Sequence, residues 1–155
     1  MNELRDHLLK VLSWEDAHVS FDKAVKAVPH KLVGVKPQGM PYSLWQLVEH
    51  MRLTQRDIVD FCRDSDYHAP KWPDDYWPES PEPPDAHAWQ KSLAACRADR
   101  REHEAMVAAP GFQAFAKIPH GDGQTYLREV LLVADHTAYH VGEVVALRRL
   151  LGAWK

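Results

Sequence analysis

Residues 135–143 read DHTAYHVGE and lie inside a long run of helical apolar periodicity near the C-terminus. His136 and His140 are four residues apart, so on a helix they lie one turn apart on the same face. Both imidazoles can therefore reach one metal ion. The same face continues through Val144 and Leu147, which places the histidine pair on an apolar stripe that a core would bury.

Two buried imidazole rings need partners, and a shared metal ion supplies one for each. The alternative is that Asp135 or a backbone carbonyl satisfies the rings separately. A metal site needs at least one further ligand, and the best candidate is His50, in a second helical segment, residues 44–61. Periodicity alone leaves open whether His50 faces inward. Three histidines would leave a coordination position open, which distinguishes a catalytic site from a structural one.

The bulk composition indicates one ordinary globular domain, residues 1–155, long enough to bury a substantial core. A net charge of −3 gives no attraction to nucleic acid or to anionic membranes. No apolar run approaches the roughly 20 residues of a membrane span, and the N-terminus lacks a signal peptide's apolar stretch. Cys62 and Cys96 form no close-spaced framework, so we expect a reducing, cytoplasmic environment.

Apolar residues at three- and four-residue steps predict four long helices and no strands, which favours an all-α four-helix bundle. The predicted helices cover residues 3–28, 44–61, 85–109 and 124–151. Ser43 and Gln46 form a capping box for the second helix, and Asp85 and Asp122 are the predicted N-caps of the third and fourth. Gly152 follows the last helix as its C-terminal stop.

A long segment rich in proline and tryptophan, residues 66–84, separates the second and third main helices. Its prolines exclude a helix or an interior strand. A disordered linker rarely carries so many large aromatic side chains, so we expect a loop packed on the domain over the mouth of the site. Trp72, Tyr76 and Trp77 are then candidates for substrate contact. The alternative is that the rings only cover exposed core.

General bases are less evident, and His18, His120 and Glu143 are the candidates for a catalytic role. His18 lies near the middle of the predicted first helix, where a lone histidine is more commonly a surface residue. His120 lies in a glycine-rich loop and could belong to a lid or be solvated. Glu143 follows His140 by three residues, so it could contact that histidine or lie on the surface.

The chain resembles the DinB/YfiT-like superfamily of metal-binding four-helix bundles. Residues 44–51, LWQLVEHM, look like the ligand segment on the family's second helix, and residues 135–143 look like its C-terminal His-x-x-x-His-x-Gly signature. The order and spacing of the parts agree across nearly the whole chain. The chain departs from the family at Val141, where arginine is common, and at Glu143, where glutamine is common.

This resemblance implies a site for one divalent metal ion, Zn²⁺, Ni²⁺, Fe²⁺ or Mn²⁺, held by His50, His136 and His140. It implies a metal-dependent hydrolase, or a transferase that uses a low-molecular-weight thiol, and a homodimer with a small-molecule or thiol substrate. A non-catalytic metal-binding or stress-response bundle, acting through dimerisation or a protein partner, is the alternative. A DNA-repair role has little support, because no basic stripe with interleaved aromatic residues occurs.

Overall fold

The computed structural model describes residues 2–13 and 16–154, and within them the chain is helical and contains no β-strand. The five α-helices are α1 (Asn2–Val11), α2 (Phe21–Val25), α3 (Leu44–Arg63), α4 (Ala88–Ala108) and α5 (Tyr126–Leu150). Single 3₁₀ turns occur at His30–Leu32 and Asp74–Tyr76. The helix α3 packs against α4 and α5, and α1 packs against the same two helices. The prediction of an all-α bundle is confirmed.

The first helix differs from the prediction, because residues 3–28 form two helices rather than one. The helix α1 ends at Val11, and α2 begins after Ser20, whose hydroxyl caps it by accepting a hydrogen bond from the Lys23 amide at 3.3 Å. Beyond α2, Ala27 has φ of 52°, which a continuing helix cannot accommodate. The apolar spacing suggested a continuous helix because both pieces bury apolar residues, although in different parts of the core.

The helix starts were predicted correctly for α3 and wrongly for α4 and α5. Ser43 and Gln46 form both hydrogen bonds of the capping box. The N-cap of α5 is Thr125 rather than Asp122, and that of α4 is His87 rather than Asp85. The Asp85 carboxylate instead accepts a hydrogen bond from the His87 amide at 2.7 Å, so it orders the turn before the helix.

The core consists of two apolar clusters, one at each end of the bundle. The first joins α2, the N-terminal half of α3, the start of α4 and the end of α5, through residues such as Phe21, Leu47 and Leu147. The second joins α1, the end of α3 and the start of α5, through residues such as Leu8 and Ile58. The histidines lie on the α3 and α5 segments where these clusters meet.

The loop between α3 and α4 is fastened along one side of α3. The Gln46 side-chain amide donates to the Pro78 carbonyl at 2.9 Å, and the Ser43 hydroxyl donates to the Pro81 carbonyl at 2.6 Å. Nearer the C-terminal half of α3, Asp57 accepts hydrogen bonds from Tyr67 at 2.6 Å and Tyr76 at 2.8 Å. The loop is therefore an ordered layer over α3.

The helix α5 and the two cysteines relate to the cellular environment of the chain. By length and composition alone, α5 is the one helix among the described residues that could cross a membrane, although the sequence pattern predicted none. Core helices of globular proteins share those properties, and α5 packs against α1, α2 and α3. Cys62 and Cys96, both in the described part of the chain, are buried and free of disulfide bonds.

Candidate metal centre

Three histidines from two helices converge where α3 crosses α5. His50 comes from α3, and His136 and His140 come from successive turns of α5. One ring nitrogen of each histidine lies within 4.8 Å of the corresponding atoms of the other two. The Nε2 atoms of His50 and His136 are 3.2 Å apart. The structure thus brings together the three residues that the sequence and the resemblance singled out.

Each histidine uses its Nδ1 atom for a protein contact. The Nδ1–H of His50 donates to the Tyr76 carbonyl at 3.0 Å, and that of His140 donates to the Glu143 carboxylate at 2.6 Å. The His136 Nδ1 atom lies 3.4 Å from the Thr54 hydroxyl, whose own proton goes to the His50 carbonyl at 2.8 Å. The Tyr76 carbonyl and the Glu143 carboxylate assign the ring proton of His50 and of His140 to Nδ1, and the Thr54 hydroxyl offers an acceptor for the same tautomer of His136. The three Nε2 atoms are left as lone-pair donors.

This donor set fits a divalent metal ion. Two nitrogen ligands at about 2.0–2.1 Å from a tetrahedral ion are about 3.3 Å apart, close to the separation of the His50 and His136 Nε2 atoms. Two nitrogen lone pairs at this distance repel each other unless a proton or a metal ion lies between them. Imidazole suits zinc, nickel, iron and copper. The cluster therefore could hold such an ion.

Burial keeps the rings in the neutral form that binds metals. It lowers the pKa of His50 to about 4. Burial also lowers the pKa of His136 to about 3, and the neighbouring rings of His140 and His50 contribute to this shift. Both side chains are consequently uncharged at neutral pH, so a metal ion would not have to displace a second ring proton.

Tyr42 and Glu143 form a second layer behind the histidines. Tyr42 donates a hydrogen bond to one oxygen of the Glu143 carboxylate, and the other oxygen accepts from His140. Burial and the contact with Glu143 raise the pKa of Tyr42, so it keeps its proton for this bond. The Tyr42 ring also stacks on Trp77, with centroids 5.3 Å apart, and Trp77 stacks on His50 at 3.8 Å.

The loop aromatics have distinct positions around this centre. Trp77 is half-buried between Tyr42 and His50. Tyr76 is buried, and it contacts His50 through its carbonyl while its hydroxyl points to Asp57. Trp72 is exposed, with its ring centroid 6.3 Å from that of His50. Of the three rings predicted to contact a substrate, Trp72 is thus the most accessible.

Two other predicted catalytic residues lie apart from the cluster. His120 contacts the carbonyl of Phe61 at 2.7 Å, which is about 16 Å along α3 from His50 at 1.5 Å per residue. His18 is exposed and lines an apolar cavity together with Ala138. Ala138 lies about 200° around α5 from His136, so this cavity is on the opposite face of the helix.

The sequence pattern alone does not mark Tyr42, Thr54 or Tyr139 as members of the site. Tyr42 lies in the connection before α3, where no motif marks it. Thr54 follows His50 by one helical turn, and this spacing could have indicated it. Tyr139 precedes His140, and its ring centroid lies 4.9 Å from that of His140.

The chain matches a known protein family. The sequence profile of the DinB superfamily matches residues 13–144, a span that includes all three histidines and α2 to α4 in full. No curated protein and no solved structure matches the chain.

Proposed function

The chain belongs to the DinB superfamily, and from that membership and the converging histidines we propose that it binds one divalent metal ion through His50, His136 and His140. We propose further that it uses the ion in a hydrolysis or in a transfer reaction with a low-molecular-weight thiol. The observation that carries the proposal is the convergence of one ring nitrogen from each of three histidines, whose Nδ1 atoms all have a protein partner.

The number of ligands favours a catalytic type of site. Structural zinc sites are closed by four protein ligands, whereas catalytic sites keep a position for water or substrate. The cluster found among the described residues has three ligand side chains, all imidazoles. An ion bound by such ligands supplies Lewis acidity, which polarises a carbonyl and lowers the pKa of a coordinated water or thiol toward neutrality.

The residues around the three histidines orient the imidazole rings and limit the access of water to them. Both oxygens of Glu143 are engaged, by Tyr42 and His140, so its role is to fix the His140 ring rather than to accept a proton from substrate. Trp77 covers one face of His50. The Tyr76 carbonyl fixes the tautomer of the same ring, which couples the loop between α3 and α4 to the site.

Metal loading combined with activity assays tests the proposal. Protein without a polyhistidine tag is loaded with Zn²⁺, Ni²⁺, Fe²⁺ or Mn²⁺ and assayed on esters and amides, and on electrophiles with and without added thiol. Turnover that needs the metal and is lost in His140→Ala supports an enzyme. His18→Ala and His120→Ala serve as matched controls, because these histidines lie apart from the cluster and should leave turnover unchanged.

The thiol dependence distinguishes the two reactions. Hydrolysis of esters or amides without thiol favours the hydrolase, and turnover only with thiol favours the transferase. Tight metal binding without turnover on either set would favour the non-catalytic alternative, in which a metal-binding bundle acts through dimerisation or a partner. Sedimentation velocity on the same samples would then test for the dimer.

A further inference from the structure

Two exposed aromatic rings flank the histidine cluster. Trp72 is 66% exposed and Tyr139 is 65% exposed, although large apolar side chains gain free energy from burial. Each ring lies beside a different histidine, because Trp72 is near His50 and Tyr139 is near His140. Exposed rings beside a cluster of polar side chains indicate a ligand-binding surface, whereas single exposed rings elsewhere on a protein are normal.

Trp72 is held in place rather than left to move in solvent. Its ring packs at a tilt against Tyr76, with centroids 5.2 Å apart. Tyr76 is anchored twice to α3, by its hydroxyl on Asp57 at 2.8 Å and by its carbonyl on His50 at 3.0 Å. The charge of the adjacent Lys71 is paired with Asp74 at 2.6 Å. The accessible surface of Trp72 is therefore an ordered apolar plane.

Tyr139 lies on the long helix α5, next to His140. Its ring meets that of His140 edge-on, with an angle of 80° between the planes. The face of His50 is covered by Trp77, which lies nearly parallel to it at 6°. Of these aromatic rings around the cluster, Trp72 and Tyr139 thus leave the most surface free for a ligand.

On the basis of the proposed metal site, we propose that the substrate carries an aromatic ring adjacent to the group that binds at the histidines, and that Trp72 and Tyr139 contact this ring. Flat rings gain from stacking and edge-to-face contact in addition to burial, whereas a saturated ring of similar size gains from burial alone. The expected substrate is therefore aromatic rather than merely apolar.

Three hydroxamates with the same metal-binding head provide the test. Benzohydroxamate, cyclohexanecarbohydroxamate and acetohydroxamate are titrated calorimetrically into zinc-loaded protein. Benzohydroxamate should bind about tenfold more tightly than cyclohexanecarbohydroxamate, which gains from burial alone, and more tightly still than acetohydroxamate. The variants Trp72→Ala and Tyr139→Ala should each reduce this preference severalfold, while the zinc content and the affinity for acetohydroxamate stay within twofold of the wild type.

Phe115→Ala is the matched control, because Phe115 is also exposed, at 72%, and lines a groove against α1. It should keep the full preference. Bound zinc with equal affinity for the phenyl and cyclohexyl compounds would overturn the inference and leave the metal site intact. A preference unchanged in both Trp72→Ala and Tyr139→Ala would do the same. Absence of bound zinc would overturn the metal site, and this inference with it.

Discussion

Tyr42 donates a hydrogen bond to Glu143, a residue 101 positions away in the sequence, and this bond joins the segment before α3 to the histidine face of α5. The other oxygen of the Glu143 carboxylate accepts a hydrogen bond from His140. Through its ring, Tyr42 also supports Trp77, which covers His50. One residue outside the helices therefore supports two of the three histidines by different kinds of contact.

Glu143→Gln should lower zinc affinity by about 10- to 100-fold, the range found for residues that orient metal ligands. The amide oxygen can still accept from His140, but without the negative charge that strengthens that ring as a ligand. Competition with a chromophoric chelator measures the change. Glu3→Gln, at an exposed position on α1, is the control. Equal affinity of Glu143→Gln and wild type would refute the orienting role.

Tyr42→Phe should lower zinc affinity by less than Glu143→Gln, because it removes the hydroxyl and retains the ring that stacks on Trp77. In the Glu143→Gln background its effect should shrink, since the two residues act through one hydrogen-bonded chain. The same competition assay on the four proteins of this double-mutant cycle gives the coupling. Strictly additive losses would contradict the proposed chain.

Ser43→Ala should cost about 1–3 kcal/mol of unfolding free energy, more than Thr125→Ala at about 1 kcal/mol. Both residues cap a helix, but the buried Ser43 hydroxyl also donates to the Pro81 carbonyl. Its removal leaves both the cap and the loop contact unmade. Urea denaturation of the metal-free proteins measures both losses. Equal losses would mean that the contact with Pro81 contributes nothing.

His103 should make the protein less stable as the pH falls from about 6.5 to 4. The side chain is buried, and its Nε2 atom has no hydrogen-bond partner among the residues that the structure describes. Burial lowers its pKa to about 4, whereas the unfolded chain takes up the proton near pH 6.5. Between these values the unfolded state binds more protons, so each pH unit of acidification removes up to about 1.4 kcal/mol.

His103→Leu removes this titration, so its unfolding free energy should fall less than that of the wild type over the same pH range. Urea denaturation at pH 7 and pH 4.5 measures the two differences. The comparison uses metal-free protein, because metal binding would add a pH dependence of its own. His50 and His136 also have lowered pKa values, but both residues are present in both proteins, so their contributions cancel. An identical pH dependence for both proteins would contradict this account, because it would show that His103 takes up its proton at the same pH in the folded and unfolded states.

The helices and the histidine pair were predictable because both depend on local spacing. The orientation of His50 was not, because the residues from Ser43 to Met51 are all buried and show no polar face. The loop between α3 and α4 covers the side of α3 that periodicity would assign to solvent. The sequence pattern offered His50 only as a candidate ligand, and the family resemblance made it a predicted one.

The features that were missed depend on contacts between distant segments or on competition between neighbouring polar residues. Tyr42 reaches Glu143 only in the folded bundle. The cap of α5 could have been Asp122 or Thr125, and the hydrogen bond from the Arg128 amide decides for Thr125. The division of the first helix follows from α1 and α2 burying their apolar faces in different clusters, which their spacing does not reveal.

X-ray absorption spectroscopy of zinc-loaded protein without a polyhistidine tag tests the central claim most directly. The metal site predicts three imidazole ligands from His50, His136 and His140 at about 2.0–2.1 Å and one exchangeable light-atom ligand from solvent. The spectrum of His140→Ala should lose one imidazole. A shell that contains sulfur, or that has only oxygen ligands and is unchanged in His140→Ala, would contradict a three-histidine metal centre.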